Sequence, residues 1–185
     1  MIRSNHPLRV VFRRALGFGF DYAGIRDSDM ARYLEENVMV EFIHVDRIHR
    51  FRRADGRPVE AIADMLVALR ESEQARAIPE RDRHKYIGDY TLFMTGLFPE
   101  LLGQIRGDST DHIVGSLIMS GDVFAWYVAE GRRSYGIAAR FGERIFDELA
   151  RNYVSYADAL RLARNYLDTL KDRSLEGFTD GALAS

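Results

Sequence analysis

Apolar residues along this chain recur at spacings of three and four, which is the signature of amphipathic helices rather than strands. His6-Pro7 opens a first helix with Leu8, Val11, Phe12, Ala15 and Leu16 on one face. Gly17 and Gly19 should weaken its end, and residues 21–27 read as a loop. Ser28 or Asp29 is expected to cap a long second helix whose stripe is Met30, Leu34, Val38, Phe42, Val45 and Ile48. Ala54-Asp55-Gly56-Arg57-Pro58 is a turn signal before a third helix that carries Ile62, Met65, Leu66 and Leu69. Pro79 starts a fourth helix, which ends at Phe98-Pro99. Tyr86, Ile87, Tyr90, Phe93, Met94, Leu97 and Phe98 cover its broad side, and Leu92 falls opposite. A helix that is apolar nearly all round belongs in the middle of a fold.

A polar loop over 103–110 leads to a fifth helix from His112, capped by Thr110 or Asp111. Ser116, Ser120, Gly121 and Ala125 give it small surfaces for close approach, and Gly131 is expected to bend it before Tyr135. A sixth stretch runs through Ala138, Phe141, Ile145 and Leu149. The last helix places Tyr153, Tyr156, Leu160, Ala163, Leu167 and Leu170 in a heptad-like seam. From Ser174 the chain turns small and polar, which predicts a flexible tail over 174–185. The strand-like run from Val38 to Val45 has no turn residue on either side, so the helical period prevails there. The expectation is one all-α domain over 1–173, an irregular bundle of about six or seven helices with the apolar helix near 80–98 at its centre.

Composition narrows the function classes. The 185 residues are 46% hydrophobic and 29% charged, enough for one sizeable core. A net charge of −2 gives no general pull toward nucleic acid or anionic membrane, so neither is expected as a partner. Cysteine is absent, which removes disulfides, thiolate metal sites and thiol nucleophiles and fits a reducing, cytoplasmic setting. The N-terminus has no apolar core of a signal peptide, and the most apolar run, 113–129, is short for a span and contains Asp122.

Three acids attract attention. Glu41 falls in the centre of the second helix's apolar stripe, with His44 three residues on. Glu-x-x-His is the spacing of di-iron carboxylate bundles, but such a site wants a second copy and two further carboxylates. A structural Glu41, paired with an arginine or a tyrosine hydroxyl, is therefore the expectation, with the pair a weak metal candidate and no metal or other cofactor expected. Asp89 lies on a buried face of the fourth helix and must be paired, to Arg132, Arg133 or a tyrosine. The same environment would suit a base or ligand-binding acid. Asp122 has the same ambiguity. Tyr90, Tyr127 and Tyr135 are the aromatic residues best placed to share a pocket with these acids, although aromatics at helical spacing are usually plain core. The arginines at 47, 50, 52 and 53 suit a solvated helix end, where cations complement the dipole. Gly17-x-Gly19 follows a helix and is no phosphate loop.

The run Tyr86-Ile87-Gly88-Asp89-x-x-Leu92-Phe93-x-x-Gly96-x-Phe98-Pro99, followed by Tyr127-x-x-x-Gly131-x-x-x-Tyr135-Gly136, resembles a group of bacterial all-α proteins of unassigned function. The resemblance covers about 33–170. It implies an all-α fold and marks Asp89, the glycines and the paired tyrosines as parts of one site or packing core, and it brings no activity with it. The leading functional expectation is a non-catalytic cytoplasmic helical protein that binds a partner or forms a homodimer. Its competitors are an enzyme or small-molecule binder with an acidic, aromatic pocket between the second, fourth and fifth helices, and a carboxylate–histidine metal protein.

Overall fold

The computed structural model describes residues 7–42, 78–102 and 123–183. Among them are seven helices and no strand, an all-α bundle. They are α1 (Pro7–Tyr22), α2 (residues 28–42), α3 (Glu80–Leu97), α4 (Pro99–Leu102), α5 (Val123–Ala139), α6 (Arg144–Arg151) and α7 (Tyr153–Leu183). No helix among the described residues is long and apolar enough to cross a membrane. The expected third helix, most of the expected fifth, and the arginine cluster near residue 50 lie outside the described residues.

α3 is the axis of the bundle. Every residue from Tyr86 to Leu97 except Met94 is buried. Its internal polar groups are satisfied locally: the Thr91 hydroxyl donates to the Ile87 and Gly88 carbonyls, and Thr95 donates to that of Thr91. Pro99 ends the helix. Arg164 of α7 then donates to the Leu97 carbonyl and pairs with Glu100, covering the open C-terminus.

α5 and α7 pack on α3, and α1 packs on α7. Glycine makes these approaches possible. A Cβ on Gly131 would sit 2.4 Å from the Thr91 hydroxyl and 2.5 Å from the Tyr153 ring. One on Gly19 would lie 2.2 Å from the Ala159 carbonyl oxygen. α1 therefore does not weaken at Gly17 and Gly19 but continues through them to cross α7. Likewise α5 runs unbroken from Val123 to Ala139, and Gly131 serves packing. The chain turns instead at Gly142, whose φ of +97° suits glycine. The seam of α7 is buried within the chain at Tyr153, Tyr156, Leu160 and Ala163, Leu167 packs on the same core, and the helix runs to Leu183.

α2 departs most from its wheel. Its cap is Asp27, which accepts from the Met30 N–H at 2.9 Å, not Ser28 or Asp29. Its middle, Leu34–Met39, is a π-helix between α-helical Ser28–Tyr33 and Val40–Phe42. Met30, Leu34, Val38 and Phe42 recur every four residues. On a regular α-helix each such step drifts by about 40°. The wider π turn absorbs that drift and keeps all four buried.

Candidate functional site

The site is built around the Asp89 carboxylate, which is 2% exposed in the centre of the bundle. Its Oδ1 accepts from the Tyr33 hydroxyl of α2 at 2.7 Å and from the Tyr135 hydroxyl of α5 at 2.8 Å. Its Oδ2 lies 2.6 Å from Nζ of Lys85, one helical turn earlier on α3. The same ammonium stands 5.3 Å from the centre of the Tyr33 ring. Of the expected partners, the tyrosine is found and the arginines are not: Arg132 donates to the Ala150 carbonyl, and Arg133 pairs with Glu130.

Packing fixes the two hydroxyls. Phe146 of α6 lies between the tyrosines, edge-on to Tyr33 at 6.1 Å and stacked on Tyr135 at 6.2 Å. Tyr135 also meets Tyr153 at 6.2 Å. Gly88 leaves the space that the Tyr135 ring fills, since a Cβ there would sit 2.6 Å from it. Burial pushes the Asp89 carboxyl above its ordinary range, and Lys85 and the two hydroxyls oppose the rise. Burial, reinforced by the nearby carboxylate, holds both tyrosine hydroxyls well above their usual value.

Lys85 also lines a cleft of about 470 Å³ between α2 and the start of α3, with Asn37, Glu41, Phe42, Asp82 and Tyr86 on its walls. Asp89 reaches its floor. A second groove, about 680 Å³, separates the start of α2 from α6 and is lined by Tyr33, Arg32, Glu36, Arg144 and Arg151 among others.

Of the other expected site residues, Glu41 shares the α2–α3 cleft with Asp89. Glu41 is half-buried at the lip of the cleft rather than at the centre of the stripe. The π turn shifts the phase, and the acid taken inside α2 is Glu35, 3% exposed. Arg13 grips Glu35 with two bonds, 2.9 and 3.1 Å, while Arg9 lies 3.8 Å away. Tyr90 is buried against Phe42, and burial pushes its hydroxyl up to about 12. Tyr127 is buried beside Trp126. His44 and Asp122 lie outside the described residues. Among the described residues no three potential ligands group around one point to hold a metal ion. Half-buried His84, whose proton affinity burial lowers, is 3.4 Å from Ser134, which in turn donates to Glu130 at 3.3 Å. Ser134 is fully buried, so this Glu–Ser–His chain has no exposed nucleophile.

Tyr33, Lys85 and Glu35 were not singled out from sequence. Lys85 carried a usable signal, its position four residues before Asp89. Fold and site together define a helical bundle in which a buried carboxylate joins α2, α3 and α5. Comparison of the chain with family models, with curated proteins and with solved structures finds no match.

Proposed function

We propose that the protein is a non-catalytic cytoplasmic binding protein that assembles as a homodimer, with Asp89 as its structural lock. Three donors occupy Asp89, two of them on one oxygen, and a general base needs a lone pair turned toward substrate. The resemblance to the bacterial all-α group fits the same reading, because Gly88, Asp89 and Tyr135 of the shared runs meet at this lock. The observation that carries the assembly is an exposed apolar strip on α1. Val11, Phe18 and Tyr22 recur at intervals of seven and four, and all three are exposed, Tyr22 by 74%. Phe18 stacks on Tyr166 of α7 at 5.1 Å and on Tyr22 at 6.3 Å, so the strip continues across the α1–α7 seam. Exposed aromatics in a line are a feature of interfaces, and two-fold closure is the commonest way to cover them. Light scattering should give a dimer mass for the native chain and a monomer mass for Phe18→Glu/Tyr22→Glu with its helical spectrum intact. A native monomer at micromolar concentration would overturn the reading.

The α2–α3 cleft supports a second reading, a small-molecule binder. Glu41 and Asp82 beside Phe42 and Tyr86 form the acidic, aromatic lining such a ligand needs.

A further inference from the structure

The α2–α3 cleft carries its charges in order of depth. Asp82, Lys85 and Asp89 recur at intervals of three and four on one face of α3, and their side-chain exposure falls from 37% to 29% to 3%. At the floor the Lys85 ammonium and the Asp89 carboxylate, 2.6 Å apart, cancel each other. The rim is different. Arg81 is shared between two carboxylates, 2.7 Å from Asp82 and 2.6 Å from Glu143, so that group keeps a net negative charge. Glu41, on the α2 wall, has the same sign. Phe42 and Tyr86, edge-on to each other at 5.3 Å, add aromatic lining.

We propose that this cleft takes a small primary ammonium compound with a neutral carbonyl beside its amine, the pattern of an α-amino amide. The inference rests on the small-molecule reading of the cleft and narrows it to one ligand class. The ligand's ammonium answers the negative rim at Asp82, and aromatic lining favours a cation further. Its carbonyl oxygen accepts from Lys85, since an ammonium has three N–H donors and Asp89 takes one.

Both groups are needed, and the carbonyl must be neutral. A ligand carboxylate would join Asp82 and Asp89 around a lysine whose charge Asp89 already balances. A plain amine would set a second ammonium near Lys85 and offer that lysine no acceptor. The cleft's volume of about 470 Å³ lies in the lower part of the ~300–1,000 Å³ usual for ligand pockets, which suits one small molecule. Lys85 stays an ammonium and Asp89 a carboxylate throughout, and no covalent bond is made or broken.

Four probes of similar size test the inference by titration calorimetry at about pH 6.5, where the α-amine is protonated. Leucinamide has both groups. Leucine replaces the amide by a carboxylate, 3-methylbutylamine lacks the carbonyl, and 4-methylpentanamide lacks the amine. Leucinamide should bind more tightly than each of the others by at least about tenfold, the low end of what one charge-assisted hydrogen bond is worth. Asp82→Asn should weaken leucinamide by about tenfold and leave 4-methylpentanamide unchanged. Leucyl-glycinamide separates two sources of the same chemistry: equal or tighter binding identifies a peptide N-terminus, and weaker binding a free amide. Leucine or 4-methylpentanamide matching leucinamide would overturn the proposal while leaving the cleft a binding site. Leucinamide affinity unchanged in Asp82→Asn would overturn it as well. No binding by any of the four would take down the small-molecule reading along with it. The ranking on the native chain alone decides the matter should the variant fail to fold.

Discussion

Asp89→Ala tests the lock directly. The substitution removes the acceptor for two hydroxyls and the counter-charge of one ammonium. Tyr135 is fully buried, so its stranded hydroxyl should cost about 2–3 kcal/mol. Tyr33 borders the α2–α6 groove, where water can replace part of its bond, and about 1 kcal/mol is appropriate. Lys85 can turn into its cleft and rehydrate, so its loss adds little. The total is about 3–4 kcal/mol, a large share of a typical stability of about 5–15 kcal/mol. Asp89→Asn keeps the shape and one acceptor oxygen for the tyrosines, but turns an amide N–H₂ toward the ammonium. It should cost about 1–2 kcal/mol. Urea unfolding followed by circular dichroism reads both values. Combining Asp89→Ala with Tyr135→Phe should cost less than the sum of the two, by about 1 kcal/mol or more, because both remove one bond. Asp158→Ala, at an exposed pair, should leave the midpoint nearly unchanged. An Asp89→Ala midpoint equal to that of Asp158→Ala would refute the shielded placement of the carboxylate and the lock built on it.

The pH dependence has a definite sign. The Asp89 carboxyl is raised above 3.8 in the folded chain, so the folded state binds more protons than the unfolded one between those two values. This group's contribution is therefore largest in acid and falls as pH rises through the raised value. The stability difference between the native chain and Asp89→Asn should widen as pH is lowered toward 4, and a flat difference would contradict it. Gly88→Ala should destabilise by about 1–3 kcal/mol, because its Cβ would displace the Tyr135 ring. Gly136→Ala meets nothing within 4 Å and should stabilise α5 by about 0.5–1 kcal/mol; thermal melts that rank the two the other way would sink this account of the glycines. Glu35→Ala leaves buried Arg9 with its 3.6 Å contact to the exposed Glu36 carboxylate and strips the bidentate partner from Arg13, and should cost about 3 kcal/mol. Unfolding no easier than that of Glu36→Ala would count against it.

What the sequence showed and what it hid divide along a physical line. Helical period and proline position are local, so the all-α class, the ends of α3 and its central place were legible. Asp89 was legible too, as an acid inside an apolar helix that must have partners. A tyrosine was foreseen as a partner and Tyr135 as a neighbour, but Tyr33 and Lys85 were not. Tyr33 and Tyr135 lie 56 and 46 residues away, and their approach depends on how three helices cross. The arginines at 132 and 133 were reasonable candidates by charge, but α5 turns them toward Ala150 and Glu130. Glu41 failed for another reason. A wheel assumes one period throughout, and the π segment at Leu34–Met39 breaks it, so Glu35 goes inside in its place.

The π segment, the glycines and the carboxylate form one construction. Asp89 must receive one hydroxyl from α2 and one from α5 at the same oxygen. Tyr135 reaches it only if its ring lies flat against α3, which Gly88 permits. Tyr33 is the last residue before the π turn, and that turn keeps the buried stripe beyond it facing α3 while the hydroxyl points at Oδ1. Phe146 fills the space between the two rings and fixes both. A buried charge offers little net stability over an apolar replacement. Its value here lies in specificity: a slip of one residue in α2 or a rotation of α5 would leave the carboxylate short of a donor. An apolar residue at position 89, such as Leu, should therefore test whether the fold needs the node to select one packing. If the node selects, Asp89→Leu retains helix content but shows broadened unfolding and loss of fixed aromatic signals in near-ultraviolet circular dichroism. A sharp transition with native aromatic signals would show that packing alone sets the register.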